Sequence, residues 1–172
     1  VYDYTLAQLE VLGGIVAGKD KIVHIKPHGA MYNQAAKNKD LADAIVDAII
    51  DYNKDLILLA LSGSQMIDSA RAKGVKYASE VFADRAYEAD GSLRARSLEN
   101  SMITDEDLAV ERVIKMVKTG KVTAYTGEEI DIEAHSVCVH GDSEKAFVFV
   151  QKLNEAFSKN GIETVGLIEA IK

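Results

Sequence analysis

The side chains best suited to chemistry lie where short apolar runs end. The first group falls in HIKPHGAMYN, residues 24–33, which holds two of the four histidines, a lysine and the only proline. Two further groups follow later apolar runs: Glu80, Asp84 and Arg85, then His140 and Asp142. Imidazoles and carboxylates move protons, and cations stabilise a developing oxyanion. These residue types predict hydrolysis or acyl transfer at an amide.

The elements that would position these groups alternate along the chain. Apolar runs predict strands, and apolar residues at helical spacing predict helices between them. The predicted strands are 21–26, 55–61, 76–83, 136–140 and 162–167; the predicted helices are 4–17, a longer region around 41–49, 63–72, 104–118 with Thr104 as its cap, and 142–160. No linker interrupts this order, so we expect one α/β domain over residues 1–172 with a parallel sheet, in a layer or a barrel.

In parallel α/β folds, functional groups collect at the carboxyl ends of the strands. Ser62 and Ser64 follow the second strand, and the other groups follow the first, third and fourth strands. Alternation along a strand places His24, Lys26 and His28 on one face. The same rule groups two further sets: Glu80, Phe82 and Asp84, and Cys138 with His140. If these faces point into a barrel, their polar groups converge on one cavity.

Each group also has a structural interpretation. Lys26 could extend to solvent, His28 could cap a helix, and His24 could be a core histidine. Glu80 and Arg85 could form a structural ion pair, and residues 140–142 could be only a capping turn. His135 lies at the amino end of its strand and is interpreted as structural.

A divalent metal is a further hypothesis for this edge. Residues i and i+4 of a strand lie about 13 Å apart, so His24 and His28 would not share an ion. His28 with His140 or Asp142, from neighbouring strands, is the better set of ligands.

Composition excludes several classes of protein. Hydrophobic residues make up 48% and charged residues 27%, as in a soluble globular chain, and the net charge of −7 argues against a nucleic-acid binder. The single cysteine, Cys138, excludes an internal disulfide and a cysteine-based zinc site. No apolar run is long enough to cross a membrane, and no signal peptide is visible, so we expect a cytoplasmic protein.

Three blocks resemble one known family. HIKPHGAMYN resembles the VKPHGALYN signature of the LamB/YcsF family, which is associated with 5-oxoprolinase. EVFADRAY at 80–87, with DGSL at 90–93 and Arg96, is similar to a second block of that family, and CVHGD at 138–142 to a third. The blocks come in the family's order and extend over nearly the whole chain.

The sequence also departs from the family pattern. The DLNxDxGE strand and the GFHAGD segment that open family members are not in this sequence, Asn100-Ser101 stands where the family has Gly-Ala, and residues 8–12 read QLEVL rather than QIGAL. The resemblance implies a parallel (β/α) barrel of the glycoside hydrolase/deacetylase type, apparently lacking its N-terminal strands. We therefore expect a truncated or split chain that is the C-terminal two-thirds of such a barrel.

The resemblance implies an A-type component of an ATP-dependent 5-oxoprolinase that opens 5-oxoproline, or a similar lactam, to glutamate together with B-like and C-like subunits. The residues that match motif positions and are expected to be catalytic are Lys26, His28, Glu80, Asp84, Arg85, His140 and Asp142; those expected to bind substrate are Tyr32, Asn33 and Arg96. We expect Lys26 and Arg85 to hold a carboxylate or phosphate. His28 and His140 would handle protons or a metal, and Glu80 or Asp84 would be the base.

Two other hypotheses stay open. The first is a metal-dependent deacetylase-like hydrolase of amides or N-acyl groups, with an ion among His28, His140 and Asp142. The second is a non-catalytic binding component, or an incomplete barrel that needs a partner chain, and this one also predicts self-association into a homo-oligomer.

Overall fold

The computed structural model describes residues 1–141 and 146–172. The chain divides into two compact units, Val1–Ser79 and Glu80–Lys172. Both contain parallel strand pairing together with helices, which is the expected α/β class. That residues 1–172 form a single domain stays a prediction.

The first unit follows the predicted alternation. Its elements are α1 (Tyr2–Ile15), a 3-10 turn (Lys19–Lys21), β1 (His24–Ile25), α2 (Gly29–Lys37), α3 (Lys39–Asn53), β2 (Ile57–Leu61), α4 (Gln65–Lys73) and the first half of β3 (Tyr77–Phe82). β1 and β2 pair in parallel, with His24 beside Ile57. Every residue of β2 is buried, as its uninterrupted apolar sequence predicts for a strand covered on both faces.

Helix α3 forms the core of this unit. Its N-cap, Asn38, accepts a hydrogen bond from the backbone N–H of Leu41, which satisfies one of the free donors of the first turn. Ile45, Ala48 and Ile49 of its apolar stripe are fully buried, and the helix contacts both α1 and α4. α4 ends at Gly74, whose φ of 69° gives the left-handed conformation that commonly follows the end of a helix.

The helix predicted at 4–17 is present as α1, but most of its apolar stripe is uncovered: Leu9 is buried, whereas Leu12 and Ile15 are 44% and 75% exposed. One prediction for the first unit needs correction. The strand predicted at 21–26 is reduced to His24–Ile25, because residues 19–21 form the 3-10 turn and Pro27 has no N–H to give to a ladder.

The second unit begins with the rest of β3. A long loop leads to α5 (Glu106–Thr119), then come β4 (Lys121–Thr123), β5 (Glu129–Asp131), β6 (Ser136–Cys138), α6 (Ala146–Lys159) and α7 (Leu167–Ala170). β6 pairs in parallel with β3, and Phe82 lies beside Cys138 in this ladder. β4 and β5 form an antiparallel hairpin.

Three predictions for the second unit were wrong in detail. Asp105, not Thr104, caps α5, and its carboxylate accepts hydrogen bonds from the N–H groups of Asp107 and Leu108. The hairpin of β4 and β5 was not predicted, and residues 162–166 form no strand. The strand predicted at 136–140 ends at Cys138, so His140 lies two residues beyond it.

Tyr87 anchors the long loop of the second unit. Its side chain is fully buried, and its hydroxyl oxygen accepts a hydrogen bond from the backbone N–H of Phe82 at 2.8 Å. Burial raises the pKa of Tyr87 far above its usual value. Further along the loop, Arg94 forms an ion pair with Glu88 and stacks on the Tyr125 ring. These contacts hold the loop that carries Asp84, Arg85 and Arg96.

Candidate functional site

In the first unit, the candidate residues lie where β1 ends and α2 begins. His28 is the N-cap residue of α2 but makes no side-chain capping bond, so the capping interpretation holds for its backbone only. Gly29 has a φ of 59°, a conformation that glycine adopts without a Cβ clash, and this turns the chain into the helix. His24 and His28 are exposed, whereas Pro27 between them is buried. The two imidazoles are therefore open to solvent.

The other candidates of this unit are held by α2. The Lys26 ammonium lies 5.8 Å from the centre of the Tyr32 ring, within cation–π range, and Tyr32 is buried. The Asn33 amide donates a hydrogen bond to the carbonyl of Gly29, one turn back in its own helix. Tyr32 thus supports Lys26, and Asn33 is occupied within α2.

A groove of about 630 Å³ runs along this strand end and lies wholly within the first unit. Aliphatic side chains from α1, among them Leu9, Leu12 and Ile15, form one wall. His24, Lys26 and His28 are its ionisable side chains at the strand end, and no carboxylate is among the described residues that line it. The groove is apolar with a basic edge.

In the second unit, two predicted catalytic residues meet directly. His140 Nδ1 lies 2.9 Å from Asp84 Oδ2, and His140 Nε2 lies 3.4 Å from the Arg96 guanidinium. A guanidinium only donates hydrogen bonds, so Nε2 must accept from Arg96. Nδ1 then carries the proton and donates it to Asp84. We assign this tautomer from the hydrogen-bond partners.

The surroundings hold this pair in place. The ring of Phe82 lies 5.8 Å from the His140 ring, centre to centre. The His140 and Asp84 side chains are 31% and 24% exposed, so solvent reaches both. Asp84 Oδ1 is buried and has no hydrogen-bond partner among the described residues. An imidazole that a carboxylate orients, and whose other nitrogen carries no proton, can act as a general base.

Arg85 and Glu80 lie deeper in this unit. Arg85 is buried, its NH2 group donates to the carbonyl of Arg94, and its Nε has no partner among the described residues. Burial lowers the pKa of Arg85, and the cation of Arg96 lowers it further. Glu80 is 2% exposed. Of the two carboxylates predicted as base, Asp84 is therefore the one that solvent reaches.

The expectation of a metal site that includes Asp142 is left without a structural answer. Asp142 lies outside the described residues, so the metal set of His28, His140 and Asp142 stays a prediction. Within residues 1–141 and 146–172, no group of three or more His, Cys, Asp or Glu side chains is placed to hold a metal ion. None of the described helices is long and apolar enough to cross a membrane.

Phe82 is the residue of this cluster that the sequence did not assign a role. The alternation that places it on the face of Glu80 and Asp84 was its only signal. Its ring contact with His140 depends on tertiary structure, because β6 must pair with β3 before His140 can lie near Phe82.

Known proteins match nearly the whole chain. The model of the LamB/YcsF family matches residues 1–172. A protein of Campylobacter jejuni, named as the A subunit of 5-oxoprolinase, is 50% identical over 166 residues, which are 96% of this chain and 65% of that protein. One of Clostridium beijerinckii with the same name is 54% identical over 147 residues, 86% of this chain and 58% of that protein.

A solved structure, the crystal structure of a lactam utilization protein from Thermus thermophilus, is also similar. It superposes with a TM-score of 0.81 at 32% identity, over 95% of this chain and 65% of that one. This similarity confirms the predicted fold class, a parallel α/β fold of the (β/α) barrel type. The chain spans about two thirds or less of the length of these relatives.

Proposed function

The chain belongs to the LamB/YcsF family, and from this premise we propose that it is the A component of an ATP-dependent 5-oxoprolinase, acting with B-like and C-like subunits. The observation that carries the proposal is the Asp84–His140–Arg96 cluster, which lies in a chain about half identical to relatives named as the A subunit of 5-oxoprolinase. The substrate would be 5-oxoproline or a similar lactam, opened to glutamate by a hydrolase acting in the cytoplasm.

The cluster supplies what lactam hydrolysis needs. Opening the ring requires water to attack the amide carbon, the C–N bond to break, and the ring nitrogen to gain a proton. His140, held by Asp84, takes the proton from water at Nε2 and returns it to the leaving nitrogen. Arg96 and Arg85 offer cationic groups to the carboxylate of the substrate and to the developing oxyanion.

ATP would raise the reactivity of the amide, because phosphorylation of the lactam oxygen makes the ring carbon electrophilic. Attack by water and cleavage of the C–N bond would then give an acyl phosphate, which a second water hydrolyses to glutamate and inorganic phosphate. The buried Nε donor of Arg85 has no hydrogen-bond partner among residues 1–141 and 146–172, and the cation of Arg96 acts on it, so it fits an anionic oxygen of a phosphate or carboxylate. In this proposal Arg85 and Arg96 are the residues of this chain that would hold such a group.

The first unit contributes a second basic edge. Lys26, supported by Tyr32, would bind an anionic group, and His28 would serve as a further proton carrier. We keep Lys26 and His28 as site residues on the basis of their motif positions and their place at the groove edge.

The test is a coupled assay on the purified chain mixed with candidate B-like and C-like subunits. We expect ADP and glutamate to be released from 5-oxoproline in equal amounts, and only when ATP is present. Glutamate release that persists without ATP would contradict the ATP-dependent reaction. No release with functional partner subunits would contradict the proposal as a whole.

The deacetylase hypothesis makes a different prediction. It requires a divalent ion, held by His28, His140 and Asp142, and loss of activity in a chelator. Metal analysis of the purified chain, followed by assays of N-acyl substrates with and without the chelator, separates it from the ATP-dependent reaction. A stoichiometric ion and ATP-independent deacylation would favour it over our proposal.

A further inference from the structure

We infer that Arg96 masks the base nitrogen of His140 until a carboxylate on the substrate draws the guanidinium away. The inference rests on the proposed function for the identity of that substrate. It gives Arg96 a role beyond holding substrate: the arginine makes exposure of the base depend on the charge of the bound lactam.

The mask follows from donor and acceptor chemistry. Nδ1 of His140 is committed to Asp84, so Nε2 is the only ring nitrogen left to accept a proton. That nitrogen faces the NH2 group of Arg96 at 3.4 Å. A lone pair that accepts from a guanidinium cannot at the same time take a proton from water. In this arrangement Asp84 orients the His140 ring, but Arg96 occupies the nitrogen that would accept the proton.

The Arg96 side chain is free to change its conformation while its backbone stays fixed. The backbone carbonyl of Arg96 accepts a hydrogen bond from the Ser101 hydroxyl, while Arg96 as a whole is exposed. Ser101 itself is buried, so the peptide of Arg96 is attached to a fixed point. The guanidinium can therefore turn about its own side-chain torsions without moving the loop.

A carboxylate would outcompete His140 for this arginine. The contact at 3.4 Å is long and joins a cation to a neutral nitrogen. A carboxylate offers a guanidinium two parallel bonds in which both partners are charged, whereas His140 offers one bond to a neutral nitrogen. Arg85 adds a second cation near the same point. Binding of an anionic lactam would thus free Nε2, whereas an uncharged lactam would leave it occupied.

The first test needs no turnover. Diethyl pyrocarbonate acylates unprotonated imidazole nitrogens, and peptide mass mapping gives the rate at each histidine. We expect Arg96→Met to raise the rate at His140 several-fold and to leave the rate at His28 unchanged. Acetate should raise the rate at His140 in the unaltered chain but not in the Arg96→Met variant.

Two control variants separate masking from a general loss of charge or fold. Arg96→Lys keeps a cationic donor and should retain most of the protection. Arg71→Met removes another exposed arginine, on α4, and should change nothing at His140. Equal labelling of His140 with and without the Arg96 side chain would overturn the mask. Protection that is lost in Arg96→Met but does not respond to acetate would overturn its release by a carboxylate.

The second test uses the assembled enzyme with 5-oxoproline and with 2-pyrrolidinone, the same ring without a carboxylate. We expect Arg96→Met to lower the ratio of their kcat/KM values about 10- to 100-fold, the range of a hydrogen bond to a charged group. An unchanged ratio would contradict the inference. If the enzyme opened neither lactam, the proposed function would fail, and the labelling result would still decide whether Arg96 masks His140.

Discussion

The two units present their candidate residues in opposite ways. At the strand end of the first unit, His24 and His28 are exposed beside an open apolar groove. In the second unit, Asp84, His140 and Arg96 are joined through hydrogen-bonding atoms, and the Phe82 ring makes a tilted contact with the imidazole. The first region has more titratable side chains in fewer residues, but the second has the geometry of a general base.

This difference teaches that density of reactive residue types does not identify the reactive centre. HIKPHGAMYN draws attention because its groups are close in sequence, yet His24 and His28, four residues apart along an extended segment, are about 13 Å from each other. Asp84 and His140 are 56 residues apart and lie within hydrogen-bond distance. We therefore expect the main proton transfer at His140 in the second unit, and expect the groove edge of the first unit to contribute mainly to binding.

The largest effect should come from the imidazole of the second unit. His140→Ala should lower kcat for 5-oxoproline about 10²- to 10⁴-fold, the usual contribution of a general base. His135→Gln is a matched control, because His135 lies just before the same strand, at its other end. Steady-state kinetics of the assembled enzyme measure both. A kcat for His140→Ala close to that of the control would contradict the role of His140 as the general base.

A smaller effect is expected at the strand end of the first unit. The double change Lys26→Ala and His28→Ala should lower kcat/KM about 10- to 100-fold, mainly through KM, because it removes charged contacts to an anionic group. Lys37→Met, at the exposed end of α2, controls for loss of a lysine. Unchanged kcat/KM in the double variant would remove Lys26 and His28 from the site. A fall in kcat larger than that of His140→Ala would reverse our assignment.

The Tyr87 hydroxyl should matter for stability. Tyr87→Phe leaves the backbone N–H of Phe82 buried without its acceptor, so we expect the free energy of unfolding to fall by about 1–3 kcal/mol. Urea unfolding followed by circular dichroism measures the change. Tyr125→Phe, which removes a hydroxyl from an exposed tyrosine, is the control. A loss no larger than that of the control would show that the hydrogen bond does not anchor the loop.

The smallest effect concerns acid stability in the first unit. Hydrogen bonds from Lys39 and then Ser69 lower the pKa of Asp43 from 3.8 to about 2. A depressed carboxyl pKa contributes stability above the ordinary value, and this contribution is lost as the pH falls from about 4 towards 2. Urea midpoints of Asp43→Asn should converge with those of the unaltered chain over that interval.

Asp40→Asn, in the first turn of the same helix, controls for the removal of a carboxylate from α3. A constant difference between Asp43→Asn and the unaltered chain at every pH would contradict the role of the Lys39 and Ser69 contacts.

Much of the fold could be predicted because local pattern and burial agree. The apolar run at 55–61 and the helical spacing over 63–72 predicted a strand and a helix that the structure contains as β2 and α4. The hairpin of β4 and β5 was missed, although Gly127 between two short alternating stretches was a signal for it. The exposed stripe of α1 could not be predicted, since apolar spacing shows which face could be buried but not what covers it.

The site was predictable as a set of residues but not as a set of contacts. Motif positions gave Asp84, Arg96 and His140, and alternation along β3 placed Phe82 on the face of Asp84. The partner of each ring nitrogen depends on the loop that Tyr87 and Arg94 hold, which no local pattern describes. The burial of the Arg85 Nε, without a hydrogen-bond partner in the part of the chain that the structure describes, depends in the same way on tertiary packing.

The most direct test of the central claim is the tautomer of His140. Ring ¹⁵N spectra of the labelled chain at about pH 8, where an ordinary histidine is neutral, distinguish a protonated from an unprotonated nitrogen. We predict a protonated Nδ1 and an unprotonated Nε2 in the unaltered chain, and loss of this preference in Asp84→Asn. A proton on Nε2 in the unaltered chain would contradict the assignment of His140 as the base of this site.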